Sequence, residues 1–574
     1  MKKDAAKIST STFMGHPTGL AILFFTEAWE RFSYYGMRSL LILYLTQHFL
    51  FSDQRSATMY GAYTALVFAL SIVGGVLSDR YLGQRKAIVF GSILLIIGHF
   101  GMTFEGSGSK NIFTYDAKTY ELTYDNRGAG ATLLVTSDNG VSAARFNASG
   151  DQLIIAEPES VRLPQQIALG KEDIRIERQT IFVWCLYLSL SFIIAGVGFL
   201  KPNITSMVGA LYDHDDPRRE SAFTLFYMGV NMGAFLSTLT CGVLGVKYGW
   251  KYGFGLAGIG MVLGVCVFLW GEKYLRGIGD PRDPECLGKK VFGPISLENF
   301  CYATGLFIVF GSALIIMNAH LINEYFIISL ALMVVFFLIY YAVNKESGKS
   351  RNKMLAAIYF TVAQIPLWAM LEQSGSSLNL FTDRLVDRSL FSWSLPTPLF
   401  LSLNPLFIFL FAPIFASLWS YLGARNRDPS GPVKYALGIM GSGLAFLPLT
   451  FAIAHDASSS ALIPVYSVVL VYLIITIAEL FIGPVGLSMV TRLSPPRIIG
   501  LTVGAWFLFL GFSNFAGGVI AGLAGVETVA GQVTDVVAAK ERYLNVYRTL
   551  SMIGLGSGAV MLALSPLIKF LMKD

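Results

Sequence analysis

The chain has 574 residues, of which 54% are hydrophobic and only 14% charged, and its mean hydropathy is +0.58. Soluble globular proteins carry about 25% charged residues, so this composition excludes a water-soluble enzyme and points to an all-α protein embedded in a lipid bilayer. The net charge of +6 sits mostly in short loops, where it reports membrane topology rather than affinity for nucleic acid.

The N-terminal stretch MKKDAAKISTSTFMGHP is polar and basic, with no short apolar core and no cleavage site. It reads as a cytoplasmic tail and not as a signal peptide. Apolar runs of about 20 residues, the length that crosses the hydrocarbon core, then recur fourteen times. They lie at 18–48, 58–78, 87–103, 181–208, 222–245, 252–274, 299–318, 323–343, 354–375, 398–421, 433–454, 460–490, 499–523 and 546–571.

Lys and Arg collect between alternate runs: Lys2, Lys3 and Lys7; Arg80, Arg85 and Lys86; Arg218 and Arg219; and a group from Lys273 through Arg276 and Arg282 to Lys290. Further groups are Lys345–Lys353, Arg425 with Arg427, Arg492 with Arg497, and Lys569 with Lys573. All fall on one side if the seventh and eighth runs form a hairpin between two groups of six. Positive loops stay inside, so both termini are expected in the cytoplasm. The expected organisation is a first bundle over 17–104 and 180–276, a linker hairpin over 284–343, and a second bundle over 352–574.

Residues 105–179 break this pattern. Short alternating runs (Tyr120–Tyr124, Ala131–Thr136, Gln152–Ala156) are separated by the turn signals DNRG (125–128), SDNG (137–140) and NASG (147–150). Alternation with tight turns predicts a small β-rich domain, placed outside the cytoplasm because it joins the third and fourth runs. Two readings of it stand: a passive insertion, or a gating or recruiting module.

The chemistry begins in the first run, at EAWERFSYYGMR. Glu27, Glu30, Arg31, Tyr34, Tyr35 and Arg38 follow the spacing i, i+3, i+4, i+7, i+8, i+11, which puts them on one helical face. Each ionisable group near the bilayer centre costs at least ~2.5–3.5 kcal/mol, so that face must look into a bundle interior or a watered cavity. The second run ends in GGVLSDRYLGQRK, with Asp79, Arg80, Arg85 and Lys86. In the fourth run GVGFLKPN sets Lys201 beside Pro202; the lysine either faces a central cavity or snorkels to the interface. Asn231, in FYMGVNMG of the fifth run, is either a ligand or glue between helices. NIT at Asn203–Thr205 fits a glycosylation pattern but lies inside a membrane run.

The second half supplies Trp368, Glu372 and Ser376, spaced by four, then Asn404 before Pro405, Glu479 five residues before Pro484, and Trp506. Buried acids in both halves, with prolines expected to break helices and free backbone groups near the midplane, are the general design of a secondary transporter. No metal-binding cysteine spacing occurs among Cys185, Cys241, Cys266, Cys286 and Cys301, nor any HExxH, GxSxG or GxxxxGK[ST] stretch. An enzyme, a metal centre and ATP-driven transport are therefore not expected.

The glycines, Asp79 and the basic cluster around Arg80 and Arg85 resemble the loop 2–3 motif of the major facilitator superfamily. EAWERFSYYG, FYMGVNMG and KPN together resemble the proton-dependent oligopeptide transporter (POT/PTR) family within it, in its bacterial form with two extra helices. That resemblance implies two six-helix bundles plus a linker hairpin, fourteen transmembrane helices in all. It also implies proton-driven import of di- and tripeptides by alternating access, with the proton as coupling ion and no other cofactor. The implied setting is a multi-pass bacterial inner-membrane protein, functional as a monomer, with the bilayer and peptides as partners and no nucleic acid.

By the same resemblance Glu27, Glu30, Arg31, Lys201 and Glu372 couple protons. Arg31, Tyr34, Tyr35, Lys201, Asn231, Trp368, Asn404, Glu479 and Trp506 bind the peptide, with Glu479 facing its amino terminus. Arg38 and Glu372 close an extracellular gate, and Asp79, Arg80 and Arg85 clamp the cytoplasmic side. Two departures stand out: Phe68 occupies a position where a cavity tyrosine is expected, and the second helix has no histidine. Coupling should therefore rest on carboxylates, protonation of Glu27 or Glu30 freeing the bases for substrate and protonation of Glu372 loosening Arg38. The rival on the same scaffold is uptake of nitrate or another small anion; a passive channel fits paired charges less well than repeated rings.

Overall fold

The computed structural model describes residues 12–124, 132–147, 151–169, 173–213, 216, 218–275, 277–390, 393–456 and 461–573. Lys2, Lys3, Lys7, the DNRG turn, the tip of the NASG turn and Arg276 lie outside these residues.

The long helices in chain order are α1 (Thr18–Gln47), α2 (Asp53–Leu82), α3 (Gln84–Gly101), α4 (Thr180–Ala210), α5 (Arg219–Tyr248), α6 (Trp250–Trp270) and α7 (Leu297–Met317). They continue as α8 (Ala319–Lys345), α9 (Gly348–Leu385), α10 (Thr397–Ala424), α11 (Gly431–His455), α12 (Val465–Leu493), α13 (Ile499–Leu523) and α14 (Val536–Leu571). Among the described residues twelve helices are long and apolar enough to cross a membrane. The other two are α1, loaded with Glu27, Glu30, Arg31 and Arg38, and α3, which opens on Gln84, Arg85 and Lys86.

Hydropathy misplaces several ends. α9 runs to Leu385 and α14 begins at Val536, well beyond the expected 354–375 and 546–571, because the charges there find partners. Arg384 pairs with Asp53, Lys540 donates to the Asp456 carbonyl at 3.0 Å and Arg542 to the Gly525 carbonyl at 2.7 Å. A charge so held does not end a helix.

The expectation of proline-broken helices also needs correcting. α4 continues unbroken through Pro202, and α12 through Pro484. Proline at 202 leaves the Gly198 carbonyl without its helical donor. That carbonyl faces Gly74 of α2, where any Cβ would also come within 2.9 Å of the Phe199 Cα. Asn203 donates from Nδ2 to the Phe199 carbonyl at 2.6 Å and accepts from Ser78. With both its bonds spent and 1% exposure, Asn203 has no means of carrying a glycan. The real irregularity is in α9, which passes from Gly348–Ala363 to Ile365–Leu371, then a 3-10 turn at Glu372–Gly375, then Ser377–Leu385. The fourfold stacking expected of Trp368, Glu372 and Ser376 therefore ends at Glu372, since the tighter turn changes the angular step.

The described residues of 110–177 contain seven strands: β1 (Lys110–Tyr115), β2 (Lys118–Tyr124), β3 (Leu133–Ser137), β4 (Gly140–Phe146), β5 (Gln152–Ile155), β6 (Gln166–Ala168) and β7 (Arg175–Glu177). They form one antiparallel sheet in the order β6-β5-β4-β3-β2-β1-β7. Asp138 and Asn139 make the two-residue turn between Ser137 and Gly140, which pair. Alternate residues point to one apolar face, where Phe113 and Tyr120 pair in register and stack at 5.3 Å. Val529, from the α13–α14 connection, completes this core with Leu122, Val135 and Leu153. Arg178 ties the end of the sheet segment to the α1–α2 loop, donating to the carbonyls of Phe49 and Leu50 at 2.8 and 2.7 Å.

The chain forms two compact units. The first takes the chain up to Met37, Leu66–Thr103 and Leu188–Leu314; the second takes Arg38–Ala65, Phe104–Tyr187 and everything from Ile315. The division cuts through α1, α2, α4 and α7 because Arg38, Gln47 and Asp53 are bonded into the second unit through Glu372, Asp383 and Arg384.

Candidate functional site

Within the first unit, helical spacing on α1 brings Glu27, Glu30 and Arg31 into one buried cluster, exposed by 3%, 0% and 3%. Arg31 Nε lies 3.1 Å from Glu27 Oε1 and also contacts the Glu30 carboxylate. Three groups cannot satisfy one another here: Glu27 Oε2, Glu30 Oε1 and Arg31 Nη2 are buried with no hydrogen-bond partner among the described residues. Lys201 of α4 is half-buried and is an electrostatic neighbour of Glu27. Its ammonium also stands 4.2 Å over the Phe68 ring, a cation–π contact that takes advantage of the face of the ring. Phe68 thus contacts Lys201 without a hydroxyl. Arg31 lies 5.3 Å over Tyr34, which meets Tyr35 edge to face at 5.3 Å.

Asn231 of α5 donates from Nδ2 to the carbonyl of Tyr227, one turn back, at 3.0 Å. This bond is local to its helix. At the end of α2, Ser78–Leu82 forms a π turn that closes on Gly83 at φ +77°, a left-handed conformation that favours glycine. Asp79 and Arg80 are exposed there. Arg85 donates to Asp280 at 2.7 Å and pairs with Glu272, and Lys86 pairs with Glu298 at 2.6 Å. All these partners of Arg85 and Lys86 belong to the first unit.

Within the second unit, Arg38 donates from Nη2 to Glu372 Oε2 at 2.6 Å and from Nε to the Tyr60 hydroxyl at 2.6 Å. Tyr60 is a member that spacing arguments missed. So are three deeper groups. Arg384 donates to both oxygens of Asp53 at 2.6 and 2.9 Å, and Val526 N–H donates to the same carboxylate at 3.0 Å. Asp383 accepts from Gln47 at 2.6 Å and from the Thr397 hydroxyl at 2.8 Å. The signal was present in NLFTDRL, where adjacent opposite charges interrupt an apolar run, but it names no partner.

Glu479 of α12 is 9% exposed and accepts from Asn404 Nδ2 of α10 at 2.9 Å, while the same amide reaches the Thr476 hydroxyl at 3.0 Å. An amide donor orients this carboxylate without neutralising it, and among the described residues it has no ion-pair partner. Trp506 of α13 is 6% exposed, and its carbonyl accepts from Gln364 at 3.1 Å. Trp368 keeps a buried indole N–H with no acceptor among the described residues.

The POT family profile matches residues 85–543. An uncharacterized transporter, YclF of Bacillus subtilis (strain 168), is 31% identical over 98% of this chain and 96% of its own. Peptide transporter YePEPT of Yersinia enterocolitica subsp. palearctica is 29% identical over 89% of this chain and 88% of its own. A crystal structure of a peptide transporter POT in complex with sulfate superposes with TM-score 0.72 at 29% identity, covering 99% of each chain. The relatives are membrane transporters and not enzymes. With a family match across most of its length and helices of membrane-crossing length throughout, this multi-pass membrane protein belongs to the POT family of transporters.

Proposed function

We propose that the chain is a proton-coupled symporter that takes up di- and tripeptides by alternating access. The observation that carries the reading is the buried Glu27–Glu30–Arg31 cluster beside Lys201, whose polar atoms are not satisfied among themselves. Buried charges left partly unpaired are costly and persist where a ligand or proton completes them. A zwitterionic peptide needs a cationic pole, which Arg31 and Lys201 supply. It also needs an anionic one, which Glu479, oriented by Asn404, supplies. Tyr34, Tyr35, Trp368 and Trp506 offer apolar surface that accommodates side chains without reading them closely.

Protonation of Glu27 or Glu30 then releases Arg31 for the peptide carboxylate, and protonation of Glu372 releases Arg38. In this reading all fourteen long helices cross the membrane as two six-helix bundles with α7 and α8 as linker, the sheet lies outside the cytoplasm, and both termini lie inside. The protein works in a bacterial inner membrane as a monomer with no cofactor but the proton. Uptake of a small anion on this scaffold is the poorer reading, because it leaves Glu479 without a ligand to face.

The test is accumulation of labelled dialanine by proteoliposomes under an imposed proton gradient. Wild type accumulates the peptide, and Glu30→Gln and Lys201→Ala do not. Undiminished proton-driven accumulation by both variants would overturn the scheme.

A further inference from the structure

Apart from the charges of α1, α4 and α12, the second unit contains a cleft of about 410 Å³ between the sheet, the α1–α2 loop and the α13–α14 connection. That volume is within the ~300–1,000 Å³ of ordinary small-ligand sites. Two guanidinium groups share one aromatic ring in it: Arg55 stands 4.3 Å and Arg178 5.0 Å from the centroid of the buried Phe51 ring. Arg55 donates to the Tyr187 hydroxyl at 3.0 Å, and Arg178 donates only to backbone carbonyls. Among the described residues neither has a carboxylate partner. Burial, with Arg55 beside it, holds the pKa of Arg178 below its ordinary value. Asn111 of β1 lines the same cleft at 3% exposure, and among the described residues its Nδ2 has no acceptor.

Two unneutralised guanidinium forks and a buried amide donor with nothing to donate to are the complement of a planar anion. Glu527, also in the lining, disfavours a multiply charged phosphate by like charge. Ile174 and Ile176 add apolar wall.

We propose that this cleft captures the carboxylate end of a short peptide, as a second binding site separate from the groups that drive transport. The inference rests on the peptide-transport reading. Arg55 is the residue to change, because Arg178 also holds the sheet to the α1–α2 loop.

The experiment uses full-length protein in nanodiscs, with the transport groups disabled by Lys201→Ala and Glu479→Gln, titrated calorimetrically with dialanine. Binding persists in this background, weakens about tenfold when Arg55→Gln is added, as expected for losing one hydrogen bond to a charged group, and is recovered in part by Arg55→Lys. Dialanine amide, which lacks the carboxylate, binds at least about tenfold more weakly, the same single-bond loss. In proteoliposomes Arg55→Gln alone raises KM with kcat unchanged.

No dialanine binding in the disabled background overturns the proposal. Full competition by inorganic sulfate, or by phosphatidylglycerol in the nanodisc, overturns it in favour of a simple anion or a lipid headgroup. The two readings fail separately. If wild type does not accumulate dialanine, the transport reading falls. If it does, and Arg55→Gln leaves both KM and dialanine binding unchanged, only the cleft falls.

Discussion

The charges of α1 and those at the end of α9 are buried to the same depth and treated in opposite ways. Around Asp53 and Asp383 in the second unit, every carboxylate oxygen has a donor: Arg384 and Val526 on one acid, Gln47 and Thr397 on the other. Among the described residues the Nε atoms of Arg384 and Arg388 lack an acceptor there. In the first unit the Glu27–Glu30–Arg31 cluster leaves atoms of all three side chains without hydrogen bonds among the described residues. A fully satisfied buried network specifies one conformation; a half-satisfied one is unstable alone. Burial of charge does not by itself separate the two groups, whereas the completeness of carboxylate pairing at equal burial does.

The comparison can be broken most directly at Asp53. Removing one partner of a buried ion pair costs about 3–5 kcal/mol, so Asp53→Ala should lower the thermal melting temperature in detergent more than any other change here. An unaltered melt would mean that the Asp53–Arg384 pair is not structural.

Arg38–Glu372 stands between the two cases, with a single bond to the acid and a second to Tyr60. Glu372→Gln should cost about 1.5–3 kcal/mol, the range for a hydrogen bond to a charged group, seen as a smaller fall in melting temperature. Glu30→Gln should reverse the pattern. It removes a charge that is not fully paired, so the melt holds steady while proton-driven dialanine accumulation falls at least tenfold, or about 1.4 kcal/mol. A melt that falls as far as that of Asp53→Ala would erase the distinction.

The smallest effect is expected at Lys110, whose exposed ammonium meets Glu121 across the sheet at 2.8 Å. That bond raises the lysine pKa from 10.5. Any stability it adds is therefore present below the ordinary lysine value and fades as pH rises through the raised one. Lys110→Ala should shift unfolding at neutral pH by no more than about 0.5 kcal/mol, measured by the same melts.

Much of the helical framework was legible from hydropathy, because bilayer thickness imposes a run length that no tertiary contact can replace. The polar face of α1 was legible too, since Glu27, Glu30 and Arg31 repeat at helical spacing. The ends of α9 and α14 were not. A charged residue reads as a helix end unless its partner is known, and the partner of Arg384 is 331 positions away. Nor was the passage through Pro202 legible, because it depends on Asn203 and on Gly74 of another helix.

The sequence by itself therefore determined the solvent of this protein, the lengths of its membrane helices and the residues too polar to face lipid. Those properties are set by local composition and period. Only the tertiary structure decided which charges are spent on one another and which are left over. It showed both oxygens of Asp53 bonded, Lys201 standing over the face of the Phe68 ring, and Arg55 and Arg178 facing a cleft with no acid paired to them among the described residues. Pairing energy depends on distances between residues far apart in the chain, and no local pattern encodes those distances.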